Sequence, residues 1–232
     1  MIAGVVAGGR PLTAVVAADP HWASVASLLH LDGAHGGTTF TDEVAGTTWS
    51  RAGNAVLDSS QAKFGASSAS FDGSGDRLAG TSGSLVFGTA DFTIEFFVRP
   101  SSATPGGGRW IISPVFAPDA WYAFGYNATT KQFVAAGQTG TGQLPYTADE
   151  WHHVAIVRSS GVLTIYINGV SMGGRANTQN YASSTLYVGG TDTNISAVSS
   201  WLIGHIDELR VTNGVARYTA NFTPPTAAFP SS

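Results

Sequence analysis

The segment EWHHVAIVRSSGVLTIYINGVSMGG, residues 150–174, keeps a strict period of two, and this constrains the fold more than any other feature of the chain. Val154, Ile156 and Arg158 alternate with His153, Ala155 and Val157, the pattern of a strand with two distinct faces. Ser159, Ser160 and Gly161 supply a turn into LTIYI. Asn168-Gly169 is the two-residue type I′ signal, because both residues tolerate positive φ. A meander of three antiparallel strands is expected here.

The same period recurs in DFTIEFFVRP, where Phe92, Ile94, Phe96 and Val98 share one face, Thr93, Glu95, Phe97 and Arg99 share the other, and Pro100 closes the run. Further strands are expected in WIISPVF (110–116), WYAFGYN (121–127), QFVAAG (132–137), TLYVGG and LIGHIDELRVTN, with earlier ones around 28–31, 47–50 and 70–71. Each is too short for a typical helix, and turn residues separate them. About a dozen short strands without a helical pattern imply an all-β chain of two packed antiparallel sheets. The 29 glycines and the absence of cysteine fit that reading and exclude a disulfide-stapled module.

The 11 Lys and Arg residues are scattered, and the net charge is −4, so no basic stripe exists to bind a nucleic-acid backbone. No apolar run is long enough to span a membrane. The N-terminus, MIAGVVAGGRPLTAVVAADPHW, is small and apolar, and Gly8, Gly9 and Pro11 interrupt it. Its one basic residue, Arg10, stands in the middle, so no cleaved signal peptide is expected. Residues 1–24 are read as an arm, lying either on a neighbouring subunit or on its own domain, and residues 25–232 as the domain. The tail from Pro224-Pro225 to Pro230 is expected to run extended over the surface.

Four segments in order, LLHLDG with FTDEVAGTTW, SSQAKFGASSASFDGSGDRL, FGTADFTIEFFVRPSS, and EWHHVAIVRSSGVLTIYINGV with IGHIDELRVTNGVARYTANFTPPTAAFP, together resemble the laminin-G-like branch of the concanavalin A-like lectin/glucanase superfamily. The resemblance implies a jelly-roll sandwich able to bind glycans, with Trp151 and Phe96 as core anchors and Phe71 packed beside them. The closing GVARYTANFTPPTAAFP resembles versions of the domain carried on bacteriophage virion proteins: tail, fibre or capsid-decoration components. That implies assembly in the bacterial host cytoplasm, multimeric incorporation into the particle, and other virion proteins as partners through the N-terminal arm.

Residue patterns for catalysis are missing. A glycosidase needs two carboxyl groups facing one sugar, yet the acids come as adjacent pairs, Asp42-Glu43, Asp149-Glu150 and Asp207-Glu208, whose members face opposite ways in a strand. There is no cysteine, and no context singles out a serine as a nucleophile. His152 and His153 are likewise adjacent and cannot chelate one ion together, and His30, His35 and His205 read as ordinary hydrogen-bonded histidines. No cofactor is required. Calcium is the one metal to weigh, at Asp72 and Asp76 in FDGSGD or at Asp32 and Asp207; the other reading is that these carboxylates cap turns. Aromatics in loops or at strand ends, Trp110, Trp121, Tyr122, Tyr126, Tyr146, Tyr181 and Trp201, are the candidate sugar platforms, each weighed against a core role. A non-enzymatic virion structural protein is the first expectation. A carbohydrate-binding host-recognition module is the second, and a polysaccharide-degrading enzyme ranks last.

Overall fold

The computed structural model describes residues 18–114, 123–135, 143–190 and 201–232. The first strands are β1 (Val25–Leu29), β2 (Thr48–Ala52), β3 (Val56–Asp58), β4 (Ser68–Asp72), β5 (Arg77–Thr81) and β6 (Phe92–Pro100). Then come β7 (Gly108–Pro114), β8 (Phe124–Asn127), β9 (Gln132–Ala135), β10 (His152–Ser159), β11 (Val162–Ile167), β12 (Val170–Ala176), β13 (Thr185–Val188) and β14 (Ile203–Asn213). The helical pieces among the described residues are two short 3-10 turns, Trp22–Ser24 and Gly83–Leu85. None of the described helices is long and apolar enough to cross a membrane.

Eight strands form one sheet in the order β12-β11-β10-β6-β14-β4-β3, with β1 beside β14, and six form the other in the order β2-β5-β13-β7-β8-β9. The pairings between these strands are antiparallel. Both expected turns form, the first one residue shorter than read because Ser159 stays in the ladder. Ser160 and Gly161 have φ of 49° and 76° between Ser159 and its partner Val162, and Asn168 and Gly169 have 49° and 77° between Ile167 and Val170. In β6, Phe92, Ile94, Phe96 and Val98 enter the inter-sheet core together with Phe71, Val154 and Ile156. Strands β3 and β5 were not expected. Val56–Asp58 is only 3 residues long, and RLAGT holds Ala79 and Gly80 where a strand pattern wants bulk. Pairing on both sides, by β2 and β13, makes β5 a strand, and the ring of Trp49 fills the space over Gly80.

The other face of β6 is also buried, which explains Phe97 and Glu95 in an otherwise alternating run. Phe97 packs with Val25, Leu28 and Phe229, joined by half-buried Trp22, Phe64 and Trp151. Trp151 therefore belongs to this outer cluster and not to the inter-sheet core the resemblance implied, because it precedes β10 on the side facing away from the second sheet. Phe96 does sit in the main core. His153 is buried against Phe97, Tyr218 and Phe222, while His152 turns the opposite way onto Phe133 and Tyr146.

What covers this outer face is the two chain ends. Glu95 Oε1 accepts from Arg210 Nε at 3.0 Å and Nη2 at 2.8 Å, and Oε2 accepts from the Tyr218 hydroxyl at 2.8 Å. Asp19 accepts from Arg210 Nη1 at 2.9 Å and from Arg217 Nη1 and Nη2 at 2.9 and 2.8 Å. The Asp19 N–H donates to the Ser232 carbonyl at 2.7 Å. Two carboxylates and two guanidiniums thus tie the entering chain and the C-terminal tail to the sheet. Of the expected arm, residues 1–17 lie outside the described residues, and Asp19 and Trp22 pack on the sandwich.

Strand β14 pairs with β4 in its first half and β1 in its second. The change of neighbour falls at a bulge, where Asp207 opposes Phe97 and Arg210 opposes Glu95, and Glu208 is the extra residue with φ of 52°. The bulge overrides the simple alternation expected for this acidic pair, and both members are buried. Asp207 Oδ2 accepts from the backbone N–H of Lys63 and Phe64 at 2.7 and 3.1 Å. Glu208 takes the Phe229 N–H at 2.8 Å and faces His30 Nδ1 at 2.9 Å.

Candidate functional site

The outer face of the six-stranded sheet follows from register. Val188 opposes Ile112, and both are buried between the sheets, so Tyr187 points outward. Phe124 points inward, so Gly125 and its partner Trp110 point outward, with Val134 opposite Gly125. Trp110 is bridged in parallel to Trp201. All three rings, Trp110, Trp201 and Tyr187, are half-buried, with part of each surface open.

The residues paired with these rings on the neighbouring strands are small. Tyr187 opposes Ala79, which opposes exposed Ser50, and Trp110 opposes Gly125. Arg77, at the start of β5, places its guanidinium carbon 5.5 Å from the Tyr187 ring centroid. Trp201 packs against Gly190 so closely that a Cβ there would collide with its ring, and the Asp76 carbonyl adjoins the same spot. Only glycine fits at 190 without moving Trp201. The patch therefore joins flat apolar rings to a cation and a loop carbonyl. Sugar C–H faces stack on such rings while hydroxyls find the polar groups beside them.

Of the platforms expected from sequence, the structure brings Trp110 and Trp201 together. Tyr126, Tyr146 and Tyr181 are buried, and their ring faces are already used. Tyr126 and Tyr146 pack edge to face at 5.2 Å, Tyr146 also touches Phe133, and Tyr181 meets Phe92 at 5.7 Å. The Tyr126 hydroxyl donates to the Ile203 carbonyl, and the Tyr181 hydroxyl accepts from Asn177. Burial pushes the Tyr146 hydroxyl up to about 12. These three are core residues, since strands β8 and β9 turn Tyr126 and its partners inward. Trp121 and Tyr122 lie outside the described residues. Tyr187 was missed, although the alternation Leu186, Tyr187, Val188 in TLYV could have placed it outward.

The four acidic candidates for calcium hold backbone N–H groups. Asp76 accepts from Asn54 N–H and, at 2.8 Å, from Asp72 N–H. Asp72 caps Ser74 N–H at 2.8 Å. Burial, reinforced by Asp72, pushes the Asp76 carboxyl above its usual range. Asp32 accepts from the N–H groups of Ala66 and Ser67 at 2.5 and 3.1 Å, at the other end of the loop from the Asp207 bonds. Burial pushes the Asp207 carboxyl up to about 7, against the pull of the Phe64 and Lys63 N–H groups. This is turn capping. Among the described residues no group of three or more His, Asp or Glu side chains is disposed to hold a metal ion.

An antiparallel sandwich of eight and six strands with open aromatics on one outer face is a lectin-like β-sandwich. The chain belongs to the concanavalin A-like lectin/glucanases superfamily, whose laminin-G-type family profile matches residues 72–217. No curated protein sequence matches it. Among solved structures, it is similar to domain 4 of AbnA, a GH43 extracellular arabinanase from Geobacillus stearothermophilus, in complex with arabinotriose. The TM-score is 0.59 at 16% identity, over 83% of this chain and 94% of that one. It is also similar to the Trypanosoma rangeli sialidase in complex with sialic acid, with a TM-score of 0.64 at 15% identity, over 82% of this chain and 31% of that one. A third is the binding domain of botulinum neurotoxin DC in complex with rat synaptotagmin II, with a TM-score of 0.59 at 15% identity, over 83% of this chain and 48% of that one. At these identities the likenesses establish the fold.

Proposed function

We propose that this chain is a non-enzymatic, glycan-recognising jelly-roll domain displayed on a bacteriophage particle as a tail, fibre or capsid-decoration component. The observation that carries the glycan reading is the patch of Trp110, Trp201 and Tyr187 with Arg77 beside it. The arabinotriose complex of the similar arabinanase domain supports it by analogy. Catalysis is not part of the proposal. Among the described residues, Asp72 and Asp76 at this end of the sheet are committed to backbone N–H groups, and Glu95, Asp207 and Glu208 lie on the opposite sheet.

The virion reading rests on the resemblance of GVARYTANFTPPTAAFP, and the placement of the chain ends supports it. The described chain enters on the outer face of the eight-stranded sheet, where Asp19 meets Ser232, and the aromatic patch lies on the other side of the sandwich. An arm that docks on a lattice from that side leaves the patch facing outward. A glycan array probed with the purified chain tests the first half: binding to a defined set of neutral or acidic oligosaccharides is expected, and blank arrays with and without calcium would sink it. Mass spectrometry of purified particles tests the second. Many copies per particle are expected, and absence from the particle rejects the virion assignment.

A further inference from the structure

A cavity of about 490 Å³ opens on the face away from the aromatic patch, where the C-terminal tail crosses the eight-stranded sheet. Phe64, Phe97, Trp151 and His153 line it on one side and the segment from Thr223 to Thr226 on the other. Its size is that of an ordinary small-molecule site.

The charge in this groove is unusual for so acidic a chain. Lys63 is one of only two lysines, and its Nζ lies 5.4 Å from the ring centroids of both Phe64 and Phe97. Among the described residues no carboxylate forms an ion pair with it. Two rings answer the ammonium through their quadrupoles, which is worth less than an anion. The nearby acids are otherwise engaged. Asp207 holds the Lys63 and Phe64 backbone N–H groups, and Glu95 is held by Arg210 and Tyr218.

At the floor, His153 is 1% exposed; its Nε2 faces Glu95 Oε2 at 3.4 Å, and its Nδ1 has no hydrogen-bond partner. A buried polar group without a partner costs free energy unless something fills its valence. Trp151 offers a half-open indole in the same cavity.

We propose that this groove is a second ligand site, and that it takes a sugar unit bearing a carboxylate, such as a uronic acid in an acidic polysaccharide. The Lys63 ammonium meets the carboxylate, the Trp151 ring stacks on the sugar's C–H face, and the hydroxyls of Thr223 and Thr226 bond its hydroxyls. The site is independent of the patch on the six-stranded sheet, so either can fail without the other.

The test is NMR titration of the intact chain, following the indole N–H of Trp151, with trigalacturonate as probe and galactotriose and acetate as comparators. A saturable shift with trigalacturonate alone is expected. Affinity should fall about tenfold or more in Lys63→Met and stay unchanged in Lys131→Met, which alters the chain's other lysine. An equal response to galactotriose or acetate overturns the proposal, as does no response to trigalacturonate, or a folded Lys63→Met that binds as wild type does. Should that variant not fold, the salt dependence of the wild type decides: affinity must drop between about 20 and about 300 mM salt, and constancy refutes the ion pair.

Discussion

Removing Glu95 tests how the chain ends are held. Its carboxylate is fully buried and is the shared acceptor for Arg210 and Tyr218, with Arg217 Nε at 3.6 Å. Glu95→Ala leaves the Arg210 guanidinium with Asp19 as its remaining carboxylate partner, and Asp19 already serves Arg217. Deleting one partner of a buried ion pair costs about 3–5 kcal/mol, because the other charge stays desolvated. For a chain of this size that is a fall in melting temperature of about 6–20 °C. Urea unfolding followed by tryptophan fluorescence reads the loss, and limited proteolysis should cut near Arg217 and Tyr218 first. The pH dependence supplies a second check. Burial pushes the Glu95 carboxyl up, but the His153 imidazole and the Arg210 guanidinium outweigh it and hold the group below its usual range. A lowered folded-state pKa means stability present above about pH 4.3 and lost as the pH falls through the lowered value. Glu95→Gln should lose that acid slope. A Glu95→Ala protein within about 1 kcal/mol of wild type would refute the claim that this network fastens the tail.

Asp207 carries the opposite sign. Its carboxyl is pushed up to about 7 by burial, so the folded state binds its proton more tightly than the unfolded chain does. Stability contributed by that proton is lost between about pH 4 and 7 as the pH rises, and Asp207→Asn should flatten the slope in a pH series of urea midpoints. Gly169 has φ of 77° and its carbonyl accepts the Phe222 N–H at 3.0 Å, with no room for a Cβ beside the Phe222 carbonyl. Gly169→Ala should cost about 1–2 kcal/mol from backbone strain alone and more from tail displacement; a neutral effect in denaturant would show that the tail does not dock there. Gly190→Ala should move Trp201 and weaken glycan binding while leaving the unfolding midpoint close to wild type, and unchanged binding would separate Trp201 from the site.

The fold was legible where alternation was strong. Phe92 to Val98, His152 to Ser159 and the Asn168-Gly169 turn sit as their residues indicate, because period and turn chemistry agree there. β3 and β5 were not, since Val56–Asp58 and RLAGT are made strands by their neighbours and not by their own side chains. The site was half legible. Trp110 and Trp201 could be named as exposed-aromatic candidates, but their adjacency comes from long-range pairing across 91 residues. Tyr126, Tyr146 and Tyr181 look the same as platforms in a sequence, and only the sheet's inward and outward faces separate them. The burial of Glu95 with Arg210 was equally hidden, because a lone acid in a strand carries no mark of what will cover it.

Glycan binding is proposed for the outer face of the six-stranded sheet. Isothermal titration of the array's best oligosaccharide into wild type, Trp110→Ala and Trp201→Ala tests it most directly. About tenfold weaker binding is expected for each variant, with unfolding midpoints near wild type. Full affinity in both folded variants would place the site elsewhere and contradict the claim.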